Sequence, residues 1–231
     1  MFGYSSSTNH SKATTIDIKE ARKMAQHAFY RDLSFANEQL PAGDKGIYKK
    51  MKKALKANSF SNLQTLKLHS RAIVWFPIIE PILKEYGIPE DFKYVPLIES
   101  GLARHQYSPK GAAGLWQFMP QTARDYGLKV NDKVDERLNV RLSTIAAAKY
   151  LRDLHKEFHS WTLTAAAYNV GEGRMKRRIA QQNQSNYFKL ALNHETGKYV
   201  YSLISMKEVI EHPEDYGYKI ENARKLLAYQ N

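Results

Sequence analysis

Strict apolar–polar alternation is almost missing from this chain, whereas apolar residues recur at a spacing near 3.6 along most of it. That pattern buries one stripe of a helix and leaves no half-buried sheet, so the class is mainly α. Ile16, Met24, Ala28 and Leu33 mark a first helix that ends at Pro41-Ala42-Gly43-Asp44. A basic amphipathic helix is expected from Ile47 to about Ala57, its Ile47, Met51, Ala54 and Leu55 sharing one face. From Ser61 a third pattern runs to Leu83, with Pro77 and Pro81 expected to kink or divide it and Gly87 to stop it. Pro89 suits the first position of the next helix, and Glu90 and Asp91 complement its positive end. Leu115 to Tyr126 reads as a helix with a break or restart at Pro120. Ser143 to Phe158 is the clearest helix, Trp161 to Tyr168 is apolar on all sides and therefore central, and Tyr199 to Ile210 is the last. The first dozen residues are polar and serine-rich and read as an arm.

With 231 residues and 43% hydrophobic content, the chain suits one large domain or one domain with an appendage. No apolar run reaches the roughly 18 residues of a membrane span, and the N-terminus has no signal-peptide pattern. We therefore expect either a cytoplasmic protein or one whose leader lies outside this sequence. The absence of cysteine excludes disulfides, thiolate metal sites and a cysteine nucleophile.

A net charge of +12 favours an anionic partner: nucleic acid, an acidic membrane surface or a cell-wall polymer. The clusters Lys49-Lys50, Lys52-Lys53 and Arg174, Lys176, Arg177, Arg178 carry much of it, but no nucleic-acid-binding signature accompanies them. His155 and His159 stand four apart, yet Lys156-Glu157-Phe158 between them departs from the zinc-protease order, and they read as surface histidines.

Glu99 closes the apolar run Tyr94-Val95-Pro96-Leu97-Ile98. Burial penalises a charged carboxylate, so an acid among apolar neighbours keeps its proton near neutral pH and can donate it to a leaving oxygen. The plainer alternative is a helix-end glutamate bonded to backbone amides. Downstream, Gly111 and Gly114 precede the cluster Leu115-Trp116-Gln117-Phe118-Met119; backbone geometry, letting the loop turn closely, explains them best.

Four segments, "PLIESGL", "YSPKGAAGLWQFMPQTARDYGL", "AAAYNVGEGRM" and "ETGKYVYSLI", together resemble the soluble lytic transglycosylase family, and most closely its membrane-bound type. The resemblance covers about Leu63 to Gly217. It implies a goose-type, lysozyme-like helical domain with a substrate groove over residues 61–220, preceded by a helical extension (1–60) and followed by a short tail (221–231). It further implies a peptidoglycan-cleaving enzyme of the cell envelope, monomeric, without cofactor or metal and without nucleic acid as partner. Residue by residue, Glu99 matches the acid/base; Ser108 and Gln117 match contacts to muramic acid; Met119 matches a groove wall; Tyr168 and Asn169 match the motif facing the acid; Tyr199 matches a groove tyrosine. The plainer roles are a helix cap for Gln117 and core positions for Met119 and Tyr168. Trp116 stands where many members have methionine, a change expected to alter groove shape and to offer an aromatic surface for a sugar.

The implied chemistry is nonhydrolytic. Glycosidases typically use two carboxyl groups, but the matched segments supply no clear second one, leaving Asp125, Asp132, Asp135, Glu136, Glu172 and Glu195 open. In the implied reaction the sugar's acetamido group and C6 hydroxyl compensate, giving a 1,6-anhydromuramoyl end. The alternatives are a hydrolytic goose-type lysozyme and a non-catalytic wall-binding module.

Overall fold

The computed structural model describes residues 29–30, 32–63, 66–219 and 221. The polar arm, most of the helix from Ile16 and nearly all of the tail lie outside the described residues. Helix α1 (Lys45–Asn58) begins at Asp44, whose Oδ1 accepts hydrogen bonds from the amides of Gly46 (2.8 Å) and Ile47 (3.0 Å). Its buried face, Ile47, Met51 and Leu55, repeats every four residues, while Lys49, Lys50, Lys52 and Lys53 stay exposed. This helix packs along the last long helix of the chain, so its basic side is the solvated face of a docked element.

Ahead of α1 stands a two-stranded antiparallel hairpin, β1 (Ser34–Phe35) and β2 (Glu38–Gln39), turned by Ala36 and Asn37 at φ 50° and 64°. Two-residue strands are too short to show alternation, and the sequence does not announce them. Phe35 is fully buried and its ring meets that of Phe92 edge-on at 5.0 Å.

A short helix α2 (Phe60–Leu63) precedes α3 (Lys67–Glu85), which runs unbroken through Pro77 and Pro81. The expected division does not occur. Both prolines and Ile73 lie on the exposed side, where the carbonyls deprived of a helical partner face solvent. Pro89 stands just outside a 3₁₀ turn (Glu90–Tyr94) that leads into α4 (Val95–Ser100). The helix expected over Leu115 to Tyr126 is reduced to α5 (Pro120–Asp125), restarted at the proline, and Leu115–Gln117 form a turn.

Helix α6 (Val140–Phe158) starts on Asn139, whose Oδ1 accepts from the Leu142 amide at 3.1 Å. Next comes α7 (Trp161–Val170), buried continuously from Thr162 to Ala167 and therefore central: it packs on α6, on α8 (Glu172–Gln182) and on α9 (Thr196–Glu211). Helix α8 was not expected, because Met175 is its one fully buried residue and one core position makes no stripe. Among the described residues, no helix is long and apolar enough to cross a membrane, and no cluster of three metal-binding side chains occurs.

Candidate active site

Glu99 reaches the site because α4 is only six residues long and stops abruptly. Gly101 and Leu102 both take left-handed backbone conformations (φ 58° and 56°), and Arg71 of α3 donates to the Gly101 carbonyl at 2.8 Å. Ser100 Oγ donates to the Leu115 carbonyl at 2.8 Å, tying the end of α4 to the turn that carries Gln117.

The Glu99 carboxyl is half-buried, and its pKa is pushed up to about 7. Burial is the main cause, the negative charge of Glu195 adds to it, and a hydrogen bond from Tyr199 opposes it. That bond, from the Tyr199 hydroxyl to Glu99 Oε1, is 2.5 Å long. Burial and the neighbouring charge of Glu99 hold the Tyr199 phenol well above its usual range, so it stays a donor. With Oε1 engaged, the acid proton belongs on Oε2.

Tyr168, at the end of α7, donates to the Trp116 carbonyl at 2.6 Å and packs among the rings of Trp116, Phe118 and Tyr150. Burial first, and the negative charge of Glu99 second, hold its phenol well above the usual range. Asn169 is fixed on both sides: Nδ2 donates to Glu195 Oε1 and Oδ1 accepts from Thr196 Oγ1, each at 2.9 Å. Glu195 is thus the one carboxylate, of the six left open by sequence, whose charge acts on Glu99. Asp135 is instead held below the usual carboxylate range by Arg137, and Glu172 pairs with Lys176 at 2.7 Å.

Gln117 occupies a left-handed position (φ 48°) and caps no helix. Its Nε2 donates to the carbonyls of Gly114 (2.8 Å) and Gln106 (3.1 Å), which leaves Oε1 without a protein partner among the described residues. Ser108 Oγ accepts from the Ala112 amide at 2.9 Å and closes the turn before Gly114. Met119 is 44% exposed, a surface residue and not core.

One expectation is corrected. Trp116 is fully buried, its Nε1 donating to Thr144 Oγ1 at 2.9 Å, so its ring is core and no sugar can stack on it. Gly114 is required by backbone geometry, as expected: its φ is 79°, and a Cβ there would sit 2.0 Å from the Arg137 carbonyl oxygen. Sequence reasoning also missed Arg137, which is buried and grips this loop. It donates to the carbonyls of Gly111 (2.7 Å) and Phe118 (2.9 Å) while pairing bidentately with Asp135. An arginine two residues after an aspartate carries no signal that it serves a loop some twenty residues earlier.

A family model described as the transglycosylase SLT domain matches residues 76–191. Membrane-bound lytic murein transglycosylase D of Escherichia coli K12 is 33% identical over 186 residues, covering 78% of this chain and 40% of that protein. Peptidoglycan transglycosylase gp16 of Escherichia phage T7 is 47% identical over 92 residues, covering 38% of this chain and 7% of that protein. The chain thus spans well under half the length of these relatives. Among solved structures, the 70 kDa soluble lytic transglycosylase of Escherichia coli is similar with a TM-score of 0.51 and 18% identity, over 73% of this chain and 33% of that one. That likeness concerns the fold, which is mainly helical and lysozyme-like.

Proposed function

The chain belongs to the transglycosylase SLT domain family, and from that premise we propose that it cleaves the β-1,4 bond between N-acetylmuramic acid and N-acetylglucosamine in peptidoglycan, with Glu99 as sole acid and base. The observation that carries this reading is the pairing of Glu99, its pKa near 7, with the Tyr199 hydroxyl on Oε1. Such an acid holds a proton at neutral pH and, once it has given it up, is basic enough to take another.

In the first half of the reaction Glu99 Oε2 gives its proton to the glycosidic oxygen, the bond to C1 of the muramic acid breaks, and the 2-acetamido oxygen supports the positive charge developing at C1. In the second half the Glu99 carboxylate takes the proton of the same sugar's C6 hydroxyl, whose oxygen attacks C1. The glycosidic C–O bond is exchanged for an internal one, no water is consumed, and the product is a 1,6-anhydromuramoyl end. The ring geometry gives the C6 hydroxyl its advantage over water. Tyr199, still protonated, stabilises the transient carboxylate, and the charge of Glu195 favours its reprotonation.

Gln117 Oε1 and the Ser108 hydroxyl are the polar contacts we assign to the sugar, with Met119 as an apolar wall; Tyr168 holds the Trp116 carbonyl beneath them, and Asn169 holds Glu195. We assign catalysis to residues 61–220, treat 1–60 as an extension, and take the cell envelope as the place of action. Mass spectrometry of products from purified sacculi tests the chemistry. Anhydro ends that vanish with Glu99→Gln are expected; reducing ends, heavier by one water, would instead identify a hydrolase.

A further inference from the structure

Beside the candidate active site, Arg174, Arg177 and Arg178 of α8 face a cavity of about 310 Å³ together with Gln181, Asn193 and Thr196. Their spacing, i, i+3 and i+4, puts the three guanidinium groups on one side of the helix, where like charges repel. Among the described residues no carboxylate pairs with them. The nearby acids Glu172 and Glu157 are both engaged by Lys176, at 2.7 and 2.9 Å.

The hollow is held by fixed walls. Gln182, at the end of α8, exchanges two hydrogen bonds with the backbone of Ala191 (3.0 and 2.8 Å), which ties the segment carrying Asn193 to the helix. Asn193 Oδ1 accepts from the Thr196 amide at 2.8 Å, and Thr196 Oγ1 in turn bonds Asn169. Asn193 and Thr196, which line the cavity, are therefore linked through Asn169 to Glu195.

We propose that this cavity is a subsite for the carboxylates of the peptide stem that peptidoglycan carries on its muramic acid, an inference that rests on the function proposed above. The stem is joined through the lactyl group of the sugar being cleaved, so its first residues must lie close to the acid. Guanidinium groups bind carboxylates bidentately, and the Gln181 and Asn193 side chains offer amides to peptide groups.

The test is twofold. A soluble muramoyl pentapeptide is titrated into the parent protein and into the double variant Arg177→Ala/Arg178→Ala, both positions being exposed. Equal unfolding temperatures establish that the variant is folded, and Arg177→Lys/Arg178→Lys separates charge from bidentate geometry. Binding at least tenfold weaker in the alanine variant, with partial recovery in the lysine variant, is expected. Cleavage is then compared on glycan strands with their stems and on the same strands stripped by an amidase. The preference for stem-bearing strands should fall about tenfold in the alanine variant, mostly through KM. Unchanged binding together with an unchanged preference overturns the subsite, as does displacement of the muropeptide by equimolar inorganic phosphate, which marks a phosphate site. Arginine-dependent binding without cleavage of either strand supports the subsite while sinking the proposed reaction.

Discussion

Glu99 has two neighbours whose effects on its proton oppose each other, and that makes its role measurable. If it acts as the acid, kcat/KM falls tenfold per pH unit above about 7, the pKa reached through burial. Tyr199→Phe removes the hydrogen bond that lowers this pKa, so the alkaline limb should move to higher pH while kcat drops by roughly ten- to a hundredfold, as is common when a positioned donor is lost. Glu195→Gln removes the repulsion that raises it, so the limb should move to lower pH. A pH–rate profile of the three proteins decides, and shifts in the same direction would refute the assignment.

The same proton couples to stability. The folded-state pKa lies above the ordinary 4.5, so the native protein binds this proton more tightly than the unfolded chain does. The resulting stabilisation is complete below pH 4.5 and is lost as pH rises through 7, a change of about 3 kcal/mol. Glu99→Gln keeps an acceptor for Tyr199 but carries no charge, so it should unfold at a higher temperature than the parent at pH 8 and at nearly the same temperature at pH 4. Calorimetry at the two pH values checks this.

At the scale of elements, the central helix is anchored by a residue from outside it. Glu38 of the hairpin places its carboxylate over the N-terminus of α7, accepting from the amides of Trp161 and Thr162 and from the hydroxyls of Ser160 (2.9 Å) and Thr162 (2.6 Å). A carboxylate there satisfies amides that have no helical partner and meets the positive end of the helix dipole. Glu38→Ala should cost about 1–3 kcal/mol in urea unfolding, and because α7 carries Tyr168 and Asn169 it should lower activity as well. The turn bearing Gln117 is as exacting. Gly114→Ala must relieve both a left-handed φ of 79° and a contact with backbone, so it should destabilise by about 2 kcal/mol or more and displace Gln117.

For the molecule as a whole, the charge of +12 has a physical use if the substrate is an anionic wall polymer. Exposed lysines of α1 and the arginines of α8 lie on separate helices, so the field belongs to the surface at large. Pelleting with sacculi should therefore weaken several-fold between about 50 and 200 mM salt, as screening shortens the Debye length below about 10 Å, while Glu99→Gln should pellet like the parent.

The amino-acid sequence by itself determined the helical class, the positions of α1, α6, α7 and α9, and the acid at the end of an apolar run, because each is local: a stripe at period 3.6, or a charge among apolar neighbours. Tertiary structure alone decided the rest. It brought Tyr199 onto a carboxyl 100 residues away, buried the Trp116 ring that the family resemblance offered to a sugar, singled out Glu195 among six open carboxylates, and laid Glu38 and Arg137 against distant backbone. Those outcomes depend on which helix faces pack together, and local periodicity shows that a face is apolar without showing what covers it.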